Sequence, residues 1–252
     1  MTRVPDDKRR AVEPYLKFLR LLDDDVDLDT RVAHILDEFT AGDFERLSAT
    51  LRDAGVTAGF SVPAIHLDTR DSLPPVVSTL AEDGHEILLH GYRHTSFMDV
   101  SYEAAHDELS RASSILQSVT GSAPTGFHVP YSRASEGTLR AAAELGVEWI
   151  VGSRADNGAD DDLAVTQPVR PYDIQLLESD LEPAAAFERL GENAEASSLL
   201  LCHPNVHLHH NGAAAFAEWL DGRSFATPGD LACGRDDGPG LLLDCFPPFQ
   251  VV

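Results

Sequence analysis

Short apolar runs alternate with segments of helical periodicity along most of this chain, and this alternation is the feature that most limits its fold. Residues 56–62, 86–89 and 198–202 are apolar runs of strand length, whereas residues 101–120 carry apolar side chains at helical spacing. Such alternation predicts a mainly parallel sheet or barrel with crossover helices. The other predicted elements are strands at 32–36, 127–129, 147–151, 173–177 and 241–245, and helices at 41–54, 72–82, 135–145, 183–195 and 213–221.

The domain organisation is expected to be simple. A chain of 252 residues is an ordinary length for one α/β domain, and it contains no convincing linker or internal repeat. We therefore predict a single domain over 1–252. Residues 1–24 are expected to form a helical N-terminal extension, and residues 222–252, which are rich in Gly, Pro and Asp, an irregular C-terminal tail.

The charge of the chain is extreme. It has 42 acidic residues against 19 basic ones, a formal net charge of −23, and its only lysines are Lys8 and Lys17. Such a surface keeps a protein soluble by self-repulsion that salt screens, as halophilic proteins do. This composition predicts a halophilic protein from a high-salt cytoplasm. It argues against nucleic acid as a partner, because phosphate binding needs basic patches.

Cysteine usage and hydropathy favour a soluble cytoplasmic protein. Cys202, Cys233 and Cys245 show neither an even count nor C-x-x-C spacing, so they predict no disulfide framework and no cysteine-rich zinc site. The first residues lead into no long apolar core of the kind a signal peptide has. No apolar run approaches the roughly 20 residues that a membrane span needs, so we expect none.

Two histidines follow the strand predicted at 86–89. His90 comes directly after it and His94 four residues later, with Gly91 between them. Neutral imidazole is the commonest ligand for divalent transition metals, and catalytic zinc sites usually take three protein ligands. The glycine argues against a helix, so both histidines are expected on the loop past the strand's C-terminal end, where α/β proteins gather functional groups. The alternative is two surface histidines on a turn.

An acidic pair follows the first predicted strand. Asp37 and Glu38 come directly after 32–36, and adjacent carboxylates are costly to bury without a partner. A metal would supply that partner, and one carboxylate could bind it while its neighbour acts as general base. The alternative is that these acids mark the N-terminus of the helix at 41–54, where negative charge is favourable.

Two further strand ends carry groups suited to chemistry. His203 follows the run at 198–202, and the segment 126–131 places His128 and Tyr131 around a proline. A lone histidine is more often structural than catalytic. Four strand ends with acidic or imidazole side chains nevertheless favour a common site.

The order of these features resembles the polysaccharide deacetylase family, which includes chitin and peptidoglycan de-N-acetylases. The family pattern Gly-His-Glu-Ile-x-x-His-x-x-x-His is matched by residues 84–94. Its Arg-x-Pro-Tyr motif is similar to 128–131, and its Leu-Leu-x-His motif to 200–203. Its Phe-Asp-Asp-Gly motif, about twenty residues before a Val-x-Ala-Thr-Phe-Phe strand, is similar to 36–39 followed by 56–61. The resemblance covers about residues 31–205 and implies a distorted (β/α) barrel with fewer than eight regular strands.

The resemblance implies a metal site. Glu38, His90 and His94 would hold a divalent transition metal, with zinc as the default, and Asp37 would be the general base. Such a site leaves room for water and an acyl oxygen, polarises the carbonyl and lowers the pKa of bound water. Glu38 stands where the family has aspartate.

The resemblance also implies the groups that complete catalysis. The backbone amide of Tyr131 would help hold the oxyanion, and His203 would be the general acid that protonates the departing amine. His128 stands where the family has an arginine that holds the base. This departure from the family pattern bears on the identity of the substrate more than on the presence of a metal site.

Three functions remain open on the sequence. The first is a metal-dependent hydrolase of a carbon–nitrogen amide bond, acting by de-N-acetylation on an amino-sugar derivative, whether small molecule or oligosaccharide. The second is an allantoinase-like hydrolase of a non-sugar amide or cyclic ureide. The third is a non-catalytic barrel that retains a metal or ligand pocket. The sequence does not determine the oligomeric state.

Overall fold

A computed structural model describes residues 41–154, 163–168, 182–192, 194–203 and 212–245. The extension predicted at 1–24 and the strands predicted at 32–36 and 173–177 lie outside the described residues. The described elements, in chain order, are α1 (Ala41–Ala54), β1 (Gly59–Val62), α2 (Ile65–Thr69), α3 (Leu73–Glu82), β2 (Glu86–Leu89), α4 (Tyr102–Thr120), β3 (Gly126–Ala134), α5 (Glu136–Glu144), β4 (Trp149–Arg154), β5 (Ala164–Thr166), α6 (Pro183–Glu192), β6 (Leu199–Cys202), α7 (Gly212–Leu220), α8 (Pro228–Ala232) and β7 (Gly240–Asp244).

The longest helix shows how local sequence sets the element boundaries. α4 begins after Ser101, whose hydroxyl accepts a hydrogen bond from the Ala104 amide at 3.2 Å. It ends at Gly121, as the sequence predicted. A serine N-cap satisfies one of the backbone N–H groups that the first turn leaves without a partner. Local signals of this kind made the longer helices predictable.

The seven strands form one parallel sheet in the order β5-β4-β3-β2-β1-β7-β6. The sheet curls into a half-barrel, and an isolated bridge between Pro168 and Leu199 links the two ends of the strand order. The expected distorted (β/α) barrel is confirmed. No helix among the described residues is long and apolar enough to cross a bilayer.

The two faces of the sheet pack differently. Leu241 and Leu243 lie in the large core cluster with the crossover helices, while Leu242 lies in a smaller cluster on the opposite face with Trp149 and Leu231 of α8. Successive strand residues point to opposite faces, so one strand serves both clusters. The smaller cluster lies on the face of the sheet that is continued, past the last strand residues, by the candidate site.

The C-terminal segment corrects the expectation of an irregular tail over 222–252. Within the described residues up to 245 it contains α8 and β7, and β7 pairs with both β1 and β6. Pro228 stands in the first turn of α8, where a missing N–H costs nothing, and the Thr227 hydroxyl caps the helix. The separate prediction of a strand at 241–245 is confirmed by β7.

α8 closes the N-terminal end of the sheet. A side chain on Gly59 would collide with Pro228, and the Gly229 amide donates a 2.7 Å hydrogen bond to the Glu86 carboxylate. Both contacts lie at the first residues of their strands. The opposite end, where the strands finish, is therefore the end at which a ligand can be received.

Candidate metal centre

His90 follows β2 directly and is completely buried. Its Nδ1 lies 2.6 Å from the backbone oxygen of His128. A carbonyl oxygen can only accept, so Nδ1 carries the proton and a neutral His90 has only a lone pair on Nε2. That Nε2 is buried and makes no hydrogen bond to any described residue.

Asp244, the last residue of β7, faces this nitrogen. Its Oδ2 lies 3.5 Å from His90 Nε2, and its side chain is 8% exposed. A carboxylate oxygen and an imidazole lone pair repel each other unless a proton or a cation lies between them. This arrangement fits a metal ion, because buried charges are retained when they are paired or bind metals.

His128 adds a second imidazole. Its ring stacks on that of His90 with centroids 4.5 Å apart, and its Nδ1 lies 2.7 Å from the Ser61 hydroxyl. One ligand atom each from His90, His128 and Asp244 falls within 4.8 Å of the others, a spacing suited to one metal ion. Burial holds the pKa of His128 well below its ordinary value, which favours the neutral form that binds metal.

The loop after β2 brings His94 to the same place. Gly91 has a φ of +76°, and a Cβ there would lie 2.9 Å from the Arg93 carbonyl oxygen. The turn sets the His94 ring 4.6 Å from that of His90, with a buried Nδ1 that makes no hydrogen bond to any described residue. Burial, with His90 adding to it, lowers the pKa of His94 to about 3.

Polar contacts fix this loop from outside. The Ile65 amide donates to the Tyr92 carbonyl oxygen, and the Tyr92 hydroxyl donates to Asp68 at 2.8 Å. The Arg111 guanidinium donates to the Asp68 carboxylate and to the Tyr92 hydroxyl oxygen, each at 2.7 Å. Its Cζ lies 3.7 Å from the centroid of the Tyr92 ring. The loop that carries His94 is thereby attached to α2 and α4.

Tyr131 stands at the rim. Tyr131 and Ser132 have φ values of +59° and +61°, and the pairing of β3 with β4 shifts register between His128 and Arg133. Non-glycine residues with positive φ are uncommon and cluster at functional sites. The Tyr131 side chain is 41% exposed, and its ring lies 4.9 Å from that of His94.

Two more histidines surround the cluster. His203 directly follows β6 and contributes to the electrostatic environment of Asp244. His66 of α2 is buried, and burial, aided by Arg70, lowers its pKa to about 3. Burial acts to raise the pKa of Asp244, but the interaction with His90 outweighs burial and lowers it, which requires a proton or another cation between the two groups.

Several residues predicted from the sequence lie at this candidate site. His90 and His94 follow β2, and His203 follows β6. His128 and Tyr131 lie within β3, around the register shift of its pairing with β4. Asp37 and Glu38 lie outside the described residues. Two residues of the site, Asp244 and His66, were not predicted from the sequence. Only the first had a usable signal, because it ends an apolar run as Asp37 does.

Fold and site together define a parallel α/β half-barrel with a candidate His-His-Asp metal centre at the carboxyl ends of its strands. Residues 27–150 match the family model described as Polysaccharide deacetylase. The match covers 124 of the 252 residues, and the resemblance to this family found in the sequence is confirmed.

One curated relative matches a shorter stretch. A peptidoglycan-N-acetylglucosamine deacetylase of Bacillus cereus is 28% identical over 87 residues, which is 33% of this chain and 32% of that protein. The matched stretch thus spans about a third of the relative's length.

Solved structures agree on the fold. A polysaccharide deacetylase described as putative, from Mycobacterium smegmatis, has a TM-score of 0.57 and 22% identity, covering 84% of this chain and 79% of its own. A family 4 acetyl xylan esterase from Clostridium thermocellum, in complex with cobalt, has a TM-score of 0.55 and 18% identity. The match covers 79% of this chain and 86% of the esterase chain. A CE4 family pseudoenzyme from Bacillus anthracis has a TM-score of 0.58 and 13% identity. The match covers 81% of this chain and 65% of the pseudoenzyme chain. At these identities the likeness establishes the fold alone.

Proposed function

We propose that this protein is a metal-dependent hydrolase of a carbon–nitrogen amide bond that removes an acetyl group from an amino-sugar derivative. The observation that carries the proposal is the buried Nε2 of His90, which faces the Asp244 carboxylate at 3.5 Å with its other nitrogen committed to a carbonyl. The family match supports the deacetylase class.

The donor set suits a divalent transition metal, with zinc as the default and cobalt or nickel able to use similar ligands. His90 and Asp244 would hold the ion, with His128 or His94 as a further imidazole. When bound, such an ion polarises the substrate carbonyl and lowers the pKa of a coordinated water.

The chain's own residues would carry the proton transfers. In this proposal Asp37 takes the proton of the attacking water, and the Tyr131 amide donates to the oxygen of the tetrahedral intermediate. His203, at the end of β6, gives a proton to the departing amine. The exposed Tyr131 ring at the rim offers a flat apolar face beside the reacting centre, which suits a sugar ring.

One observation favours a second function. His128, buried and held neutral, stands where the family motif has an arginine, so a base at Asp37 would lack that cationic partner. A similar fold is found in the Bacillus anthracis pseudoenzyme. The alternative is a barrel that keeps the metal pocket for binding without turnover.

We place the protein in a high-salt cytoplasm as part of this proposal, because a net charge of −23 needs screening. The test is acetate release from N-acetylglucosamine oligosaccharides by zinc- or cobalt-loaded protein in molar KCl, with allantoin as the competing substrate. We expect release that chelation abolishes and metal restores. Hydrolysis of allantoin without acetate release would show that the site acts on cyclic ureides and not on N-acetyl sugars. Bound metal without turnover of either substrate would favour the non-catalytic barrel.

A further inference from the structure

We infer that Asp244, delivered by the C-terminal strand, is the obligatory carboxylate ligand of the metal site, in the role that the sequence pattern assigns to Glu38. The inference rests on the proposed metal site and adds to it the origin of its acid. It reverses the order of ligands along the chain, so that the carboxylate follows the histidines by about 150 residues.

The sheet gives Asp244 its position. β7 pairs with β1 on one side and β6 on the other, in a register that sets Ser61 beside Asp244. β1 pairs on its other side with β2, which sets Ser61 beside Leu88. A strand has two hydrogen-bonding edges, and both edges of β1 are occupied. The place next to β1 at the carboxyl end of the sheet therefore belongs to the strand that ends in Asp244.

A repeated local pattern points the same way. On β2, β6 and β7, a leucine of the smaller core cluster is followed two residues later by a polar group. The three pairs are Leu88 with His90, Leu201 with His203, and Leu242 with Asp244. Residues two apart on a strand share a face, so these groups continue the face that the leucines occupy. Asp244 thus extends the same row as the two histidines that the sequence singled out.

The energetics favour a bound cation. Asp244 is 6% exposed, and removing a carboxylate from water is expensive unless it is paired. Within the described residues it faces imidazoles: His90 at 3.5 Å, with His128 stacked on that ring. Neutral imidazoles and one carboxylate make a good donor set for a divalent metal.

The test compares two acids at opposite ends of the chain by metal binding, not by activity. Wild type, Asp244→Asn, Glu38→Gln and the exposed-site control Asp236→Asn are titrated with Zn²⁺ by calorimetry in molar KCl. We expect one equivalent bound by wild type, Glu38→Gln and Asp236→Asn with similar affinity. Asp244→Asn should bind at least about 100-fold more weakly, since loss of even an outer partner of a metal ligand costs 10–100-fold.

A second variant covers the case in which Asp244→Asn does not fold. Asp244→Cys loaded with Co²⁺ should show an intense near-ultraviolet thiolate-to-cobalt absorption band that is absent from cobalt-loaded wild type. The inference is overturned if Asp244→Asn binds like wild type, if Glu38→Gln loses metal as Asp244→Asn does, or if cobalt binds the cysteine variant without that band. Wild type that binds no metal would instead overturn the proposed function.

Discussion

Strand β2 has a buried histidine at each end, and the two are used in opposite ways. Before the strand, His85 Nδ1 accepts a 3.2 Å hydrogen bond from the Ala58 amide. After it, His90 Nδ1 donates to a carbonyl, and Nε2 is left facing Asp244. The same residue type, five positions apart, is a satisfied structural group at one end of the sheet and an incompletely satisfied one at the other.

The acids at the two ends repeat this difference. Glu86, at the N-terminal end, accepts a 2.7 Å hydrogen bond from the Gly229 amide of α8. Asp244, at the C-terminal end, faces imidazoles. At the N-terminal end of the sheet, which α8 covers, the buried polar side chains form hydrogen bonds with backbone amides. At the C-terminal end, His90 Nε2 and the Asp244 carboxylate face each other and need a proton or a cation between them. Burial of a polar group therefore does not by itself distinguish the two ends of the sheet, whereas the partners of each buried group do.

The largest difference is expected from replacing the two histidines. His90→Ala should abolish stoichiometric metal binding and reduce any metal-dependent turnover below about 1% of wild type, since removing a metal ligand removes its Lewis acid. His85→Ala should keep bound metal but unfold more easily, by about 1–3 kcal/mol for a buried amide left without its acceptor. Elemental analysis measures the bound metal, and urea denaturation measures the free energy of unfolding. Loss of metal by His85→Ala together with its retention by His90→Ala would contradict the difference between the two ends of β2.

The next effect concerns the loop between His90 and His94. Gly91→Ala and Gly55→Ala both place a side chain at positive φ, but a Cβ at Gly55 meets nothing within 4 Å, whereas at Gly91 it meets a carbonyl oxygen and the Phe97 ring. Gly91→Ala should therefore cost about 1–3 kcal/mol more stability than Gly55→Ala, the usual range for overpacking. It alone should also weaken metal binding. Equal unfolding free energies in urea would show that the loop is not packed as described.

A smaller effect is expected in the pH dependence of metal-free protein. A native pKa near 3 for His66 means that the unfolded chain binds more protons between about pH 3 and 6.5, so stability falls as pH falls through that window. His66→Gln should remove up to about 1.4 kcal/mol per pH unit of this slope. Burial raises the pKa of Glu86, so Glu86→Gln should remove a contribution of opposite sign. Urea denaturation at pH 7 and 5 tests both, and unchanged slopes would contradict the described burial.

Much of the fold was predictable because its signals are local. The β2 run, the Ser101 cap and Gly121 each act within a few residues, and the boundaries predicted from them agree with the structure. β5, α2 and α8 were not predicted: β5 has only three residues, and the two helices have only five each, too few to show a helical period.

The site was only partly predictable because its assembly is not local. His90 and His94 were found from their spacing to a strand end. Asp244 was missed, although its strand was predicted, because its neighbours in sequence read as a tail and nothing local specifies that β7 lies beside β1. His66 sits in a five-residue helix without a motif and became visible only through its burial.

The central claim is that a divalent metal binds between His90 and Asp244. Anomalous diffraction at the zinc edge, from crystals grown with Zn²⁺ at high salt, tests it most directly. We expect one strong peak within about 2.0–2.2 Å of both His90 Nε2 and an Asp244 oxygen, the usual zinc–ligand distances. A zinc peak that excludes Asp244 from its ligands, or no peak at this end of the sheet, would contradict it.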